Sequence, residues 1–145
     1  MDNMEVITKS ARESQKLGEK LASTLKKGSV LCLYGDLGSG KTTFLQGLAH
    51  GLGIKERILS PTFVMMRQYE ISNKKDASCF YHIDLYRAEN EKDVESLNLR
   101  EIWSDPQNII AIEWPEKIEK ILPSERINLH FEYLKENERR ITIKP

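Results

Sequence analysis

Leu17, Leu21 and Leu25 recur at every fourth position, the spacing that lines apolar side chains along one face of a helix. Ser10-Ala11-Arg12-Glu13 ahead of them reads as a capping box opening that helix, and Gly28 marks its end. Val30-Leu31-Cys32-Leu33-Tyr34 then runs apolar without alternation, as a strand does when both its faces are buried. Phe44, Leu45, Leu48 and Leu52 return to helical spacing, predicting a helix to about His50, closed by Gly51 and Gly53. Residues 60–63 read as a short stiff segment leading into an extended run to Ile71. Residues 78–85 are extended again after a polar turn at 72–77, so the two runs form an antiparallel hairpin. Residues 90–103 are helical in two pieces broken near Asn98, residues 108–114 form a strand, and residues 115–122 a short helix. The chain closes with a hairpin, 126–134 and 139–143, around Lys135-Glu136-Asn137-Glu138. Strand–helix units mixed with hairpins predict an α/β fold in three layers, a mixed, mainly parallel sheet flanked by helices.

Between the first strand and the second helix stand Gly35-Asp36-Leu37-Gly38-Ser39-Gly40-Lys41-Thr42, which match G-x-x-x-x-G-K-[ST] at every fixed position. Glycines at those places let the backbone curl until successive N–H groups point into one concave nest. Lys41 then reaches the β- and γ-phosphates of a nucleotide, and the Thr42 hydroxyl is placed to ligate Mg²⁺. The helix beginning there directs its positive end at the same phosphates. Strand, glycine loop and helix is the context this motif requires, so a P-loop site for a nucleotide and Mg²⁺ is expected.

Sites of this kind form beyond the carboxyl ends of the strands, which selects the acidic residues that end strands. Asp84 follows Phe80-Tyr81-His82-Ile83, and Glu113 follows Ile109-Ile110-Ala111-Ile112. Either can hold hydrated Mg²⁺ or orient the attacking water, and either can be a surface carboxylate at a helix cap. Thr62, stiffened by Pro61, lies twenty residues beyond Thr42, close enough in sequence to return to the γ-phosphate, although an ordinary turn threonine explains the spacing better. His82 and Asp84 share one face of their strand. Trp114 is equally readable as a cover for the nucleotide base or as a tryptophan packed at a sheet edge. Asn73-Lys74-Lys75-Asp76 matches the guanine-selecting N-K-x-D of GTPases, but it fills a turn and no D-x-x-G accompanies it, so guanine specificity is discounted.

Composition narrows the reading further. The 145 residues suit one domain with one core, and the 22 basic residues balance the 22 acidic ones. That balance argues against a chain whose main task is to grip nucleic acid. The adjacent basic pairs Lys26-Lys27, Lys74-Lys75 and Arg139-Arg140 fall at predicted turns and read as solvated loop charges. Cys32 and Cys79 lack metal-type spacing, as do the three histidines, and the two cysteines imply no disulfide framework, which fits a reducing cytoplasm. No signal peptide or membrane-spanning run is expected.

Taken in order, the loop at 35–42, Ser60-Pro61-Thr62-Phe63, His82-Ile83-Asp84-Leu85-Tyr86-Arg87 and Glu113-Trp114-Pro115 resemble the TsaE (YjeE) family over nearly the whole chain. The resemblance implies a bacterial P-loop ATPase of tRNA threonylcarbamoyladenosine biosynthesis. Such a protein acts with TsaB and TsaD on adenosine 37 of tRNAs reading ANN codons, meets tRNA through that complex, and resets it between turnovers. It implies Lys41, Glu113 and Asp84 as the catalytic set. It implies Gly35, Asp36, Leu37, Gly38, Ser39, Gly40, Lys41, Thr42, Thr43 and Trp114 as nucleotide contacts, and Thr42, Thr62, Asp84 and Glu113 around the metal. Two other classes fit a P-loop chain: a small-molecule kinase, and a non-catalytic nucleotide-dependent interaction module. The former needs an arginine-rich lid that is not evident; the latter would not need Glu113.

Overall fold

The computed structural model describes residues 2–59, 65–72 and 79–145, and the statements below concern those residues. Its sheet is organised around β2 (Val30–Tyr34) and β5 (Asn108–Glu113), whose apolar runs at 30–33 and 109–112 leave no side for water. In β2, Leu31 and Leu33 enter one hydrophobic layer while Val30 and Cys32 enter the other. In β5, Ile109 and Ala111 alternate in the same way with Ile110 and Ile112; full burial of an isoleucine side chain is worth up to about 2 kcal/mol of transfer free energy. The remaining strands are β1 (Met4–Thr8), β3 (Met66–Glu70), β4 (Cys79–Asp84), β6 (Ile127–Lys135) and β7 (Glu138–Lys144). The sheet order is β1-β7-β6-β2-β5-β4-β3. Pairing is parallel through the centre, β6-β2-β5-β4, and antiparallel at both edges. The expected α/β architecture, a mixed sheet between helices, is therefore what the chain adopts.

Helices α1 (Ala11–Thr24) and α2 (Lys41–Gly51) cover one face, packing Leu21, Phe44, Leu45 and Leu48 onto Leu31, Leu33, Ile109 and Leu129. They touch through glycine: a Cβ on Gly47 would lie 1.9 Å from the Gln15 carbonyl oxygen, and one on Gly18 would lie 2.4 Å from that of Phe44. The other face carries two 3₁₀ segments, Glu91–Leu97 and Pro115–Ile121, with α3 (Leu99–Ser104). Val94, Leu99 and Ile118 pack there against Val30, Cys32, Ile83 and Ile112.

Local signals account for most boundaries. Ser10 caps α1, its hydroxyl accepting from the Glu13 N–H at 3.1 Å, while the Glu13 carboxylate accepts from the Lys9 N–H. The helix stops at Thr24, four residues before Gly28, because Leu25 has already turned extended. Asn98 takes the left-handed conformation (φ 52°) and makes the break expected between the two helical pieces.

Two expectations need correction. Met4–Thr8 forms a strand that the sequence reading leaves out: it is short and lies at the sheet edge, with Met4 and Ile7 exposed, so it lacks a core-type apolar signal. Arg139 and Arg140 are not turn residues, because β7 begins at Glu138. Arg140 bridges strands instead, reaching Glu5 on β1 at 2.8 Å and Glu132 on β6 at 2.6 Å. The hairpin is tighter than expected, with Asn137 at φ 68° making the reversal. Thr62 and the 73–76 tetrad lie outside the described residues.

Candidate functional site

The loop after β2 closes on itself through the Ser39 N–H donating to the Asp36 carbonyl at 3.1 Å. Gly38 and Gly40 have φ of 78° and 100°, which side-chain-bearing residues rarely adopt. Gly40 is the N-cap of α2 and has no side chain to satisfy the N–H groups of the first turn. The residues of that turn, Lys41 to Thr43, line the cleft described below, and a helix start of this kind favours an anion. The Ser39 hydroxyl is buried there without a hydrogen-bond partner among the described residues.

Lys41 folds back over the loop. Its ammonium donates to the Gly35 carbonyl and lies 4.1 Å from the centroid of the Trp114 ring. Burial pushes its pKa down, and the charges of Glu113, Glu116, Asp84 and Asp36 push it back up. A buried ammonium amid carboxylates, with no ion pair among the described residues, is a poised cation, suited to an incoming anion.

Parallel pairing of β4 with β5 sets Asp84 directly beside Glu113, and pairing of β5 with β2 sets Glu113 beside Leu33, two residues before the loop. Both carboxylates are almost wholly buried. One Asp84 oxygen, Oδ1, accepts from the Tyr86 N–H at 3.0 Å. Glu113 Oε2 meets His82 Nε2 at 2.6 Å inside the protein. Immediately after Glu113 the chain turns sharply: Trp114 is left-handed (φ 60°) and precedes Pro115, a combination disfavoured twice over and worth about 1–3 kcal/mol of strain. That turn brings the indole against Lys41, with Tyr86 at 5.2 Å between ring centroids.

These groups line one cleft of about 380 Å³, which holds Leu37 to Thr43, Asp84, Tyr86, Glu113, Trp114 and Arg139. Of the residues singled out from sequence, Leu37, Gly38, Ser39, Gly40, Lys41, Thr42, Thr43, Asp84, Glu113 and Trp114 meet there. Gly35 and Asp36 form the loop's entry rather than the cleft wall. Three further participants have no role assigned from sequence, although two of them, His82 and Tyr86, stand in the segment 82–87. Tyr86 carries no separate signal. Arg139 was masked by its assignment to a turn, although its stem lies 3.6 Å from where a Cβ of Gly40 would stand. His82 did leave a signal, a polar residue on the inward face between Phe80 and Asp84.

The donor set suits a nucleoside triphosphate with Mg²⁺. Mg²⁺ keeps much of its water and takes one or two carboxylates plus phosphate oxygens, so it does not need a dense ligand cage. Among the described residues no group of three or more His, Cys, Asp and Glu side chains forms such a cage. Thr42, Asp84 and Glu113 around the phosphate loop are the groups that would serve it.

Comparisons with known proteins identify the family of the whole chain. Residues 8–141 match the family model "Threonylcarbamoyl adenosine biosynthesis protein TsaE". The chain is 42% identical to the tRNA threonylcarbamoyladenosine biosynthesis protein TsaE of Nostoc sp., covering 100% of this chain and 88% of the relative. It is 38% identical to the TsaE of Bacillus subtilis over 94% of this chain and 82% of that one. The crystal structure of Bacillus subtilis YdiB superposes with a TM-score of 0.76 at 32% identity, covering 98% of this chain and 84% of that chain. Sequence, fold and loop thus converge, and the chain belongs to the TsaE family.

Proposed function

We propose that this protein binds ATP with Mg²⁺ and hydrolyses it as the nucleotide-driven subunit of tRNA threonylcarbamoyladenosine synthesis, working with TsaB and TsaD. The observation that carries this reading is the register of β2, β5 and β4, which aligns the phosphate loop, Glu113 and Asp84 along one strand edge. The loop's free N–H groups and Lys41 would hold the β- and γ-phosphates. Thr42 and Asp84 would hold the hydrated cation, which supplies charge neutralisation at the phosphates when bound. Glu113 would orient the attacking water, a role felt in the transition state more than in binding. The balanced charge of the chain fits a subunit that reaches tRNA through its partners.

Release of inorganic phosphate from ATP, measured with the protein alone and with TsaB, TsaD and tRNA, tests the reading. Phosphate release that depends on Lys41 and rises with the partners supports it. ATP binding without any hydrolysis in the complete mixture would leave only a nucleotide-dependent interaction module.

A further inference from the structure

His82 is fully buried on the α1–α2 face of β4, yet its two ring nitrogens are treated very differently. Nε2 lies 2.6 Å from Glu113 Oε2, whereas Nδ1 has no hydrogen-bond partner among the described residues. Stability does not explain the choice. An unmatched buried nitrogen is destabilising, and Phe80, two residues earlier on the same face, shows that the layer accepts an apolar ring. The explanation lies with the residue His82 touches. Glu113 exerts the strongest of the carboxylate fields acting on Lys41, and both side chains line the same cleft. No ion pair within 4.0 Å joins them among the described residues; the close partner of Glu113 is His82. A glutamate free to rotate would be drawn onto that lysine and would close the cleft across its middle.

We propose that His82 is a positioning residue for ATP hydrolysis: its Nε2–H anchors Oε2 of Glu113 and so keeps that carboxylate off Lys41, with Oε1 left for the attacking water. The inference rests on the reading of Glu113 given above. His82 touches neither nucleotide nor water; it acts through Glu113 alone. A side-chain amide at the right reach can replace it. Glutamine extends its N–H₂ about as far as imidazole Nε2, whereas asparagine reaches only about as far as Nδ1.

The experiment compares His82→Leu, His82→Gln and His82→Asn, each alone and combined with Glu113→Gln, in steady-state ATP hydrolysis with the partner proteins. The expected result is a fall in kcat of about tenfold or more for His82→Leu and His82→Asn, with KM for ATP within about twofold of wild type. His82→Gln recovers most of the rate. In the Glu113→Gln background none of the three lowers kcat further. Proton NMR of the ligand-free protein supplies a second readout: a burial-protected low-field imidazole N–H that is absent in His82→Gln and moves upfield in Glu113→Gln. If His82→Leu does not fold, the Gln and Asn variants carry the comparison, and equal impairment of both overturns the proposal. So does wild-type kcat in any folded variant lacking the donor, or an undiminished loss when Glu113 is already glutamine. Glu113→Gln hydrolysing at the wild-type rate would overturn the reading of Glu113 itself, whereas a slow Glu113→Gln beside an unaffected His82→Leu would remove only the role of His82.

Discussion

The Lys41 ammonium is held by two groups, the Gly35 carbonyl at the loop's entry and the Trp114 ring, whose centroid lies 4.1 Å away. The tryptophan therefore stands beside the loop's lysine, at the strand-end side of the cleft where Glu113 and Asp84 also lie. Its contact partner is a cation, which sharpens what its removal should do.

Trp114→Ala should weaken ATP binding about threefold to tenfold, the scale of one partly desolvated cation–π contact and the ordering it gives a long side chain. The informative comparison is with inorganic tripolyphosphate. If the ring orients Lys41, calorimetry will show the same loss for both ligands. A loss confined to ATP would instead assign the ring to the nucleotide base.

Glu113→Gln should slow ATP hydrolysis by at least about tenfold, roughly 1.4 kcal/mol of barrier, with ATP affinity nearly unchanged. The substitution keeps size and hydrogen bonding but removes the charge. Single-turnover kinetics with the partners present measure it, and an unchanged rate would shift the role to Asp84, its neighbour across the β4–β5 pairing.

Gly47→Ala should destabilise the fold by about 3 kcal/mol or more, because the new methyl would sit 1.9 Å from a backbone oxygen of α1 that cannot move alone. Thermal unfolding checks this. An unshifted midpoint would mean that the two helices are not held at this spacing.

Cys32 predicts an alkaline limit. Burial pushes its thiol from 9.0 up to about 12, so the folded chain keeps a proton that the unfolded chain releases above 9.0. The stabilisation is complete below that pH and is lost as pH rises towards 12, by about 1.4 kcal/mol per pH unit. Cys32→Ala should flatten the decline between pH 9 and 11 in urea unfolding relative to wild type, whatever constant offset its small cavity adds at neutral pH. Parallel curves for the two proteins would contradict the assignment.

The parts legible in sequence were those encoded locally. The loop at 35–42 declares itself through residues whose backbone and chemical demands fall within eight positions, and the apolar runs of β2 and β5 identify buried central strands without any partner being known. Asn98 marked its own break because asparagine tolerates the left-handed conformation. The rest depends on pairing. Met4–Thr8 becomes a strand only because β7 lies beside it, and Arg139 reaches the loop only because β7 packs next to β6 and β6 next to β2. The bond between His82 and Glu113 is likewise a product of register: the two are thirty-one positions apart and meet because β4 and β5 run side by side. Nothing local to either residue announces it.

The same dependence on pairing gives the molecule an order of assembly. The loop is written within the first third of the chain, but its surroundings come from the last. The space a Cβ of Gly35 would need is taken by the Phe131 carbonyl, at 2.7 Å, and Gly40 faces the stem of Arg139. A nascent chain still short of β6 thus carries the loop's sequence without the wall that shapes it. A chain truncated before β6 would keep all eight residues of the loop and lose the backbone that Gly35 packs against.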